Sequence, residues 1–141
     1  MEEKKNILFC PLDWGLGHAT RCIPIILQLA QKHNLFIASS GAAAELLKNE
    51  FPDLKHFSLP SYKISYPEKR SMTVHMALHL PVIYAAILQE KKTIRKLIEK
   101  YEIDLVISDN RLGCYSRKIP SVFITHQINI KTPRLSKWVN G

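Results

Sequence analysis

The stretch NILFCPLDWGLGHATRCIPIILQLA, residues 6–30, decides the fold. Ile7, Leu8, Phe9 and Cys10 form a short unbroken apolar run, the pattern of a strand buried on both faces. Ile23, Ile26, Leu27 and Ala30 then recur at helical spacing, which predicts a helix over 22–33. Pro24 belongs in the first turn of that helix, or else kinks it, because it has no N–H to donate. Between strand and helix lie Gly15, Gly17, His18 and Arg21. A strand, a glycine-bearing turn and a helix, in that order, open a βαβ unit.

Working outward, the same alternation continues. Strands are expected at 35–39 and, more weakly, at 54–59, separated by a short helix at 42–48. Two prolines and three serines make 60–71 a loop. A long helical region at 73–101 should bend or break at Pro81, and buried strands follow at 105–108 and 121–125. This order reads as an α/β protein with a doubly wound, mostly parallel, Rossmann-like sheet, residues 1–141 forming one domain.

Composition agrees with a folded domain: hydrophobic residues make up 46% and charged residues 23% of the 141. The N-terminus mixes both charges and runs straight into a strand, which excludes a signal peptide. Cys10, Cys22 and Cys114 are scattered, so they read as reduced thiols of a cytoplasmic protein, not as a disulfide or metal framework. The formal net charge is +8. Residues 111–141 contain no Asp or Glu but do contain Arg111, Arg117, Lys118, Lys131, Arg134 and Lys137. An anionic partner or a plain solvated surface would each account for that bias. Residues 71–89 carry no charged side chain, yet His75, His79, Pro81 and Gln89 interrupt them, which argues against a membrane span and leaves an interfacial face open.

In an open parallel sheet, ligands bind beyond the carboxyl ends of the strands, where strand order reverses. If the first strand and the strand at 105–108 flank that reversal, three loops meet there: PLDWGLGH, DNRLGC and HQIN. Gly15 and Gly17 permit a tight turn beside the amide groups of a helix N-terminus. A dinucleotide fingerprint is incomplete, because Thr20 stands where the third glycine belongs and the second strand ends in Ser39 and Ser40 without an acid. A P-loop is absent, so no cofactor is expected. His18 is a candidate general base, or a brace for the turn. Asp13 is a second candidate base or a cap. Asp109 could orient His18, act as base itself, or hold the Asn110-Arg111 loop. Arg21 and Arg111 could each clamp a phosphate or lie on the surface. His75 and His79 have chelating spacing but no third ligand, and no metal is expected. Lys91, Lys92, Arg95, Lys96 and Lys100, interleaved with Glu90, Glu99 and Glu102, read as a solvated helix face. Nothing resembles a nucleic-acid-binding module.

The segments DWGLGHATRCIP, ISDNRLGCYS and SVFITHQIN together resemble the N-terminal half of a two-Rossmann-domain (GT-B) glycosyltransferase. The likeness is to the MurG-like, lipid-linked N-acetylglucosaminyltransferases of peptidoglycan synthesis. There a Gly-Gly-His loop follows the first strand and a His-Glu-Gln-Asn segment follows a later one. Gly17-His18 matches the first; His126-Gln127 with Asn129 is similar to the second, with one residue fewer between His and Gln and an Ile before the Asn. The resemblance implies an acceptor-side domain, with the nucleotide-sugar donor gripped by a second domain beyond this chain. It implies transfer to a hydroxyl acceptor, lipid-phosphate linked in the likest relatives, with inversion and without an essential metal. Carried over, His18 is the base or assists it, and Gly15 and Gly17 approach an acceptor diphosphate. His126 and Gln127 line the acceptor side; Thr20, Arg21, Asn110 and Arg111 are further substrate-facing candidates. A cytoplasmic protein, peripheral at the inner membrane face, would fit. A sugar-nucleotide epimerase of the same architecture and a non-catalytic module for anionic glycolipid or phosphate are the alternatives.

Overall fold

In the computed structural model, residues 3–62 and 72–125 are described, those of 72–77 by backbone alone. Among the described residues, five strands and three helices follow in the order β1 Asn6–Pro11, α1 Leu16–Lys32, β2 Asn34–Ser39, α2 Gly41–Glu50, β3 Lys55–Ser58, α3 Met72–Tyr101, β4 Leu105–Asp109 and β5 Ser121–Ile124. They form one sheet in the order β3-β2-β1-β4-β5, and every pairing is parallel. Strand order therefore reverses at β1, which lies between β2 and β4. Ile7 stands opposite Leu35 on one side and Leu105 on the other, and Pro11 stands opposite Asp109.

Alternation along β1 divides the core in two, as a sheet covered on both faces requires. Ile7 and Phe9 pack with Ala19, Cys22 and Ile26 of α1 and with Ala43 and Leu47 of α2. Leu8 and Cys10 face the other way, onto Ile94 and Leu97 of α3. A smaller cluster of Leu12, Tyr62 and Ala86 closes the carboxyl end against α3. Helices on both faces of an all-parallel sheet make the chain doubly wound.

Several local expectations are corrected. Helix α1 begins at Leu16, six residues before the apolar periodicity, so Gly17, His18, Thr20 and Arg21 are helical. Gly15 is the N-cap residue, with φ 78°, a conformation that a residue with a Cβ rarely adopts. Pro24 then lies in the helix interior. Helix α3 runs unbroken through Pro81. Strand β5 was expected to be buried, but it is the sheet edge, and Val122 and Phe123 are about half exposed. The connection from β4 to β5 contains no helix, so part of that face stays uncovered. A cavity of about 420 Å³ lies there, lined by Leu112, Cys114, Tyr115, Ser121 and Phe123 among others. Among the described residues, no helix is long and apolar enough to cross a membrane.

Candidate active site

The site is built at the strand-order reversal. As β1 ends, the Leu12 amide donates to the Asp109 carbonyl at 3.1 Å, which keeps the two strand ends together. The chain then turns, with the Gly15 amide donating to the Asp13 carbonyl at 3.0 Å, and enters α1 at Leu16. His18, Arg21 and Cys22 follow at i, i+3 and i+4 and share one face of that helix. That face looks onto the Asp109 side chain, which ends β4 and is wholly buried.

All three side chains converge on this carboxylate. His18 Nδ1 lies 3.1 Å from Asp109 Oδ2. Arg21 donates through Nε to the same oxygen at 3.2 Å and through Nη2 to Oδ1. The Cys22 thiol donates to Oδ2 at 3.4 Å. A carboxylate can only accept, so the His18 atom facing it carries an N–H, and in the neutral ring Nε2 then carries the lone pair. The His18 side chain is 14% exposed and that of Arg21 33%, so the cluster opens to solvent on the helix side. Its hydrogen bond to Asp109 raises the Arg21 pKa above its ordinary value. Burial, aided by the neighbouring Asp109 charge, pushes the Cys22 thiol up to about 12.

A second polar cluster lies deeper. Arg111, expected at the surface or on a phosphate, is 1% exposed and points inward. Its Nε donates to the Pro11 carbonyl at 2.9 Å, and Nη1 donates to the Pro60 carbonyl at 3.1 Å and to Glu90 Oε1 at 2.6 Å. Nη2 donates to Ser40 Oγ, which in turn donates to Asp13 Oδ2 at 2.6 Å. Glu90, expected on a solvated face, is wholly buried because its second oxygen accepts from Tyr62 Oη at 2.7 Å and from the Gly113 amide at 3.0 Å. Asp13 Oδ1 is buried without a hydrogen bond, 3.7 Å from Arg111 Nη2. Asp13 and Arg111 thus belong to an internal brace that ties the ends of β1, β2 and β4 to α3.

Of the other sequence candidates, Thr20 turns its hydroxyl back onto the Leu16 and Gly17 carbonyls at 2.8 and 3.1 Å. Gly17 is exposed, with open space where a Cβ would be. Asn110 adopts φ 55° and donates its amide to the Ile124 carbonyl at 3.1 Å, fixing the turn after Asp109. His126 and Gln127 lie outside the described residues, as does the His75 side chain. No three His, Cys, Asp or Glu groups gather as a metal site among the described residues. Cys22, Ser40, Tyr62 and Glu90 were missed. Only Cys22 had a readable signal, its place one helical turn after His18.

An all-parallel, doubly wound sheet with polar residues gathered at its strand-order reversal is a Rossmann-like unit, the kind from which GT-B glycosyltransferases are built. The chain belongs to glycosyl transferase family 1, whose model matches residues 5–132. Among solved structures it is similar to CalG4, the calicheamicin glycosyltransferase, with a TM-score of 0.63 and 19% identity over 86% of this chain and 32% of that one. Phytolacca americana UGT2, complexed with UDP-2-fluoro-glucose and pterostilbene, gives 0.54 and 17% over 87% and 31%. Acinetobacter baumannii MurG gives 0.50 and 15% over 86% and 34%. At such identities the likeness is one of fold, and the chain spans about a third of the length of these enzymes. No curated protein matches it in sequence.

Proposed function

We propose that this chain is the acceptor-side half of an inverting glycosyltransferase in which His18, oriented by Asp109, is the general base. The observation that carries the reading is the 3.1 Å contact between His18 Nδ1 and a wholly buried Asp109. Asp109 fixes the ring and its tautomer, which makes Nε2 the nitrogen that takes the acceptor's hydroxyl proton. The freed oxygen attacks the anomeric carbon of a nucleotide-sugar from the face opposite the leaving group. The bond to the nucleotide diphosphate breaks, and the nucleotide departs with the bonding electron pair. The donor would be held by a second domain, in keeping with relatives about three times this length.

A lipid-phosphate-linked acceptor is the finer proposal. It is supported by the acid-free, basic composition of residues 111–141. The uncharged half of α3, which exposes Leu78, Leu80 and Tyr84, would suit peripheral contact with a membrane. Free cysteines at 10, 22 and 114 suit a reducing compartment. The test is a screen of the full-length protein with UDP- and GDP-sugars, scoring transfer and donor hydrolysis. His18→Ala should lower turnover by ~100-fold or more with little change in donor affinity. Retained turnover in that variant sinks the base assignment.

A further inference from the structure

We propose that Trp14 is a specificity-determining residue of the acceptor site, a fixed aromatic platform on which a flat, apolar ring face of the acceptor rests while the hydroxyl beside it reaches His18. The inference rests on the reading of this chain as the acceptor-side half of a glycosyltransferase, and it adds to that reading the chemical class of the acceptor. Its ground is where the turn places the ring. Trp14 is the middle residue of the turn closed by the Gly15 amide on the Asp13 carbonyl at 3.0 Å. Both neighbours are held, Asp13 by Ser40 Oγ at 2.6 Å and Gly15 as the N-cap of α1. The indole is 46% exposed, although tryptophan is highly buried on average. It is nonetheless anchored, because it meets the Tyr62 ring nearly at right angles with centroids 6.2 Å apart. Tyr62 is itself buried and bonded to Glu90 Oε2 at 2.7 Å. A fixed ring therefore backs the indole on one side, and water reaches the rest.

The surroundings set the chemistry. Leu16 opens α1 two residues further on, and Leu112 donates its amide to Tyr62 Oη at 3.3 Å; both side chains are about half exposed. These apolar groups come from the β1–α1 turn and from the loop after β4, the segments that adjoin His18 and Asp109. The charged side chains of the same segments turn inward: Asp13 and Arg111 belong to the brace, and Asp109 is wholly buried. Trp14, Leu16 and Leu112 thus present apolar surface at the carboxyl ends of the strands, where a sheet of this kind binds its ligand. Four residues separate Trp14 from His18, so their Cα atoms are at most about 14 Å apart. Entry into the helix at Leu16 shortens that span, and a ring-sized acceptor bridges it. An indole stacks on flat apolar faces, either an aromatic ring or the C–H face of a pyranose. A small open-chain alcohol offers it nothing to stack on.

The test compares three acceptors on the full-length protein, with the nucleotide-sugar it turns over. 4-Methylumbelliferone supplies an aromatic face, methyl β-D-glucopyranoside a C–H face, and glycerol a hydroxyl without either. The readout is the ratio of kcat/KM for each ring acceptor to that for glycerol, because damage to the fold or to the base lowers all three alike and leaves the ratio in place. In Trp14→Ala the ratio for at least one ring acceptor should fall about tenfold, through the acceptor KM, as the loss of an aromatic stacking partner predicts. Which ring loses its advantage identifies the face. Trp14→Phe keeps an aromatic ring and should keep most of the ratio; Trp14→Leu serves if the Ala variant does not fold. Unmoved ratios in Trp14→Ala overturn the proposal, and so does an equal loss in Trp14→Phe, which would trace to the shape of the turn. If the native protein transfers sugar to none of the three, equilibrium dialysis with the two ring compounds decides. Binding about tenfold weaker to Trp14→Ala then upholds the platform and counts against the transferase reading, whereas equal or absent binding overturns the platform. Transfer that survives His18→Ala while Trp14→Ala loses the ring preference upholds the platform and refutes the base, so the two readings fail separately.

Discussion

Glu90→Gln is the substitution whose cost the structure defines most closely. The native carboxylate uses both oxygens as acceptors: Oε1 for Arg111 Nη1 at 2.6 Å, and Oε2 for Tyr62 Oη at 2.7 Å and the Gly113 amide at 3.0 Å. An amide has one acceptor oxygen. Whichever way it turns, its NH₂ meets either the guanidinium or the Tyr62 and Gly113 donors, and a group with zero exposure has no contact with bulk solvent. The substitution also strips Arg111 of its close carboxylate and, among the described residues, leaves only Asp13, at 3.7 Å. Breaking a buried ion pair from one side costs about 3–5 kcal/mol. Against a total stability of about 5–15 kcal/mol, that is a large fraction. With a urea slope of about 2 kcal/mol/M, the unfolding midpoint should fall by about 2 M. Equilibrium urea unfolding, followed by tryptophan fluorescence and by far-UV circular dichroism, measures it. A fall of less than about 0.5 M with an unchanged slope would refute the reasoning. A second arm is the double variant Glu90→Gln/Arg111→Met, which should cost less than the sum of the single variants because the partners no longer strand each other. Strict additivity would show that the pair does not act as a unit.

Gly113→Ala should also destabilise. A Cβ there would meet Glu90 Oε2 at 2.5 Å, Glu90 Cβ at 2.6 Å and the Ile87 carbonyl at 2.6 Å, and the helix backbone has no room to yield. A loss of about 2 kcal/mol or more is expected in the same unfolding assay, and a neutral result would mean the close approach is not there. Thiol chemistry gives the pH-dependent prediction. Burial pushes Cys22 up to about 12 and Cys114 well above its ordinary range, so neither should react quickly with a disulfide reagent at pH 7.5 until the protein is unfolded. A thiol whose pKa is raised on folding binds its proton more tightly in the native state. Stability should therefore decline as pH climbs above 9, the ordinary value for the thiol, and Cys22→Ala should soften that decline.

Much of this architecture can be read from the chain, because β1 is buried on both faces and such strands announce themselves as unbroken apolar runs. The alternation of elements pointed to a doubly wound sheet, and only if the first strand and the strand at 105–108 flanked the reversal would Asp109 meet His18; the strand order β3-β2-β1-β4-β5 meets that condition. What escaped reading has a common physical cause. The start of α1 was hidden because Gly15-Leu16-Gly17 has poor helix propensity, and the tertiary contacts of His18, Arg21 and Cys22 with Asp109 override it. Glu90 looked like any acid among lysines on an amphipathic helix, and its partner lies 21 residues away in sequence. Still greater separations hid Arg111, whose neighbours Pro11, Ser40 and Pro60 come from the end of β1 and from two separate loops. Strand β5 was misjudged because SVFI is apolar by composition, and whether a strand lies at the edge or centre of a sheet depends on topology, not on its own residues.

The Asp109 cluster has a consequence for how the protein is made. His18, Arg21 and Cys22 emerge early in synthesis, and the carboxylate that unites them follows 87 to 91 residues later. The β1–α1–β2–α2 portion has apolar contacts of its own and can begin to condense while the ribosome is still translating α3. It cannot assemble the His18–Asp109 contact at that stage, because the carboxylate is not yet translated. The cluster closes only when β4 slots in beside β1, so a chain cut short before β4 would hold His18, Arg21 and Cys22 without the carboxylate that gathers them.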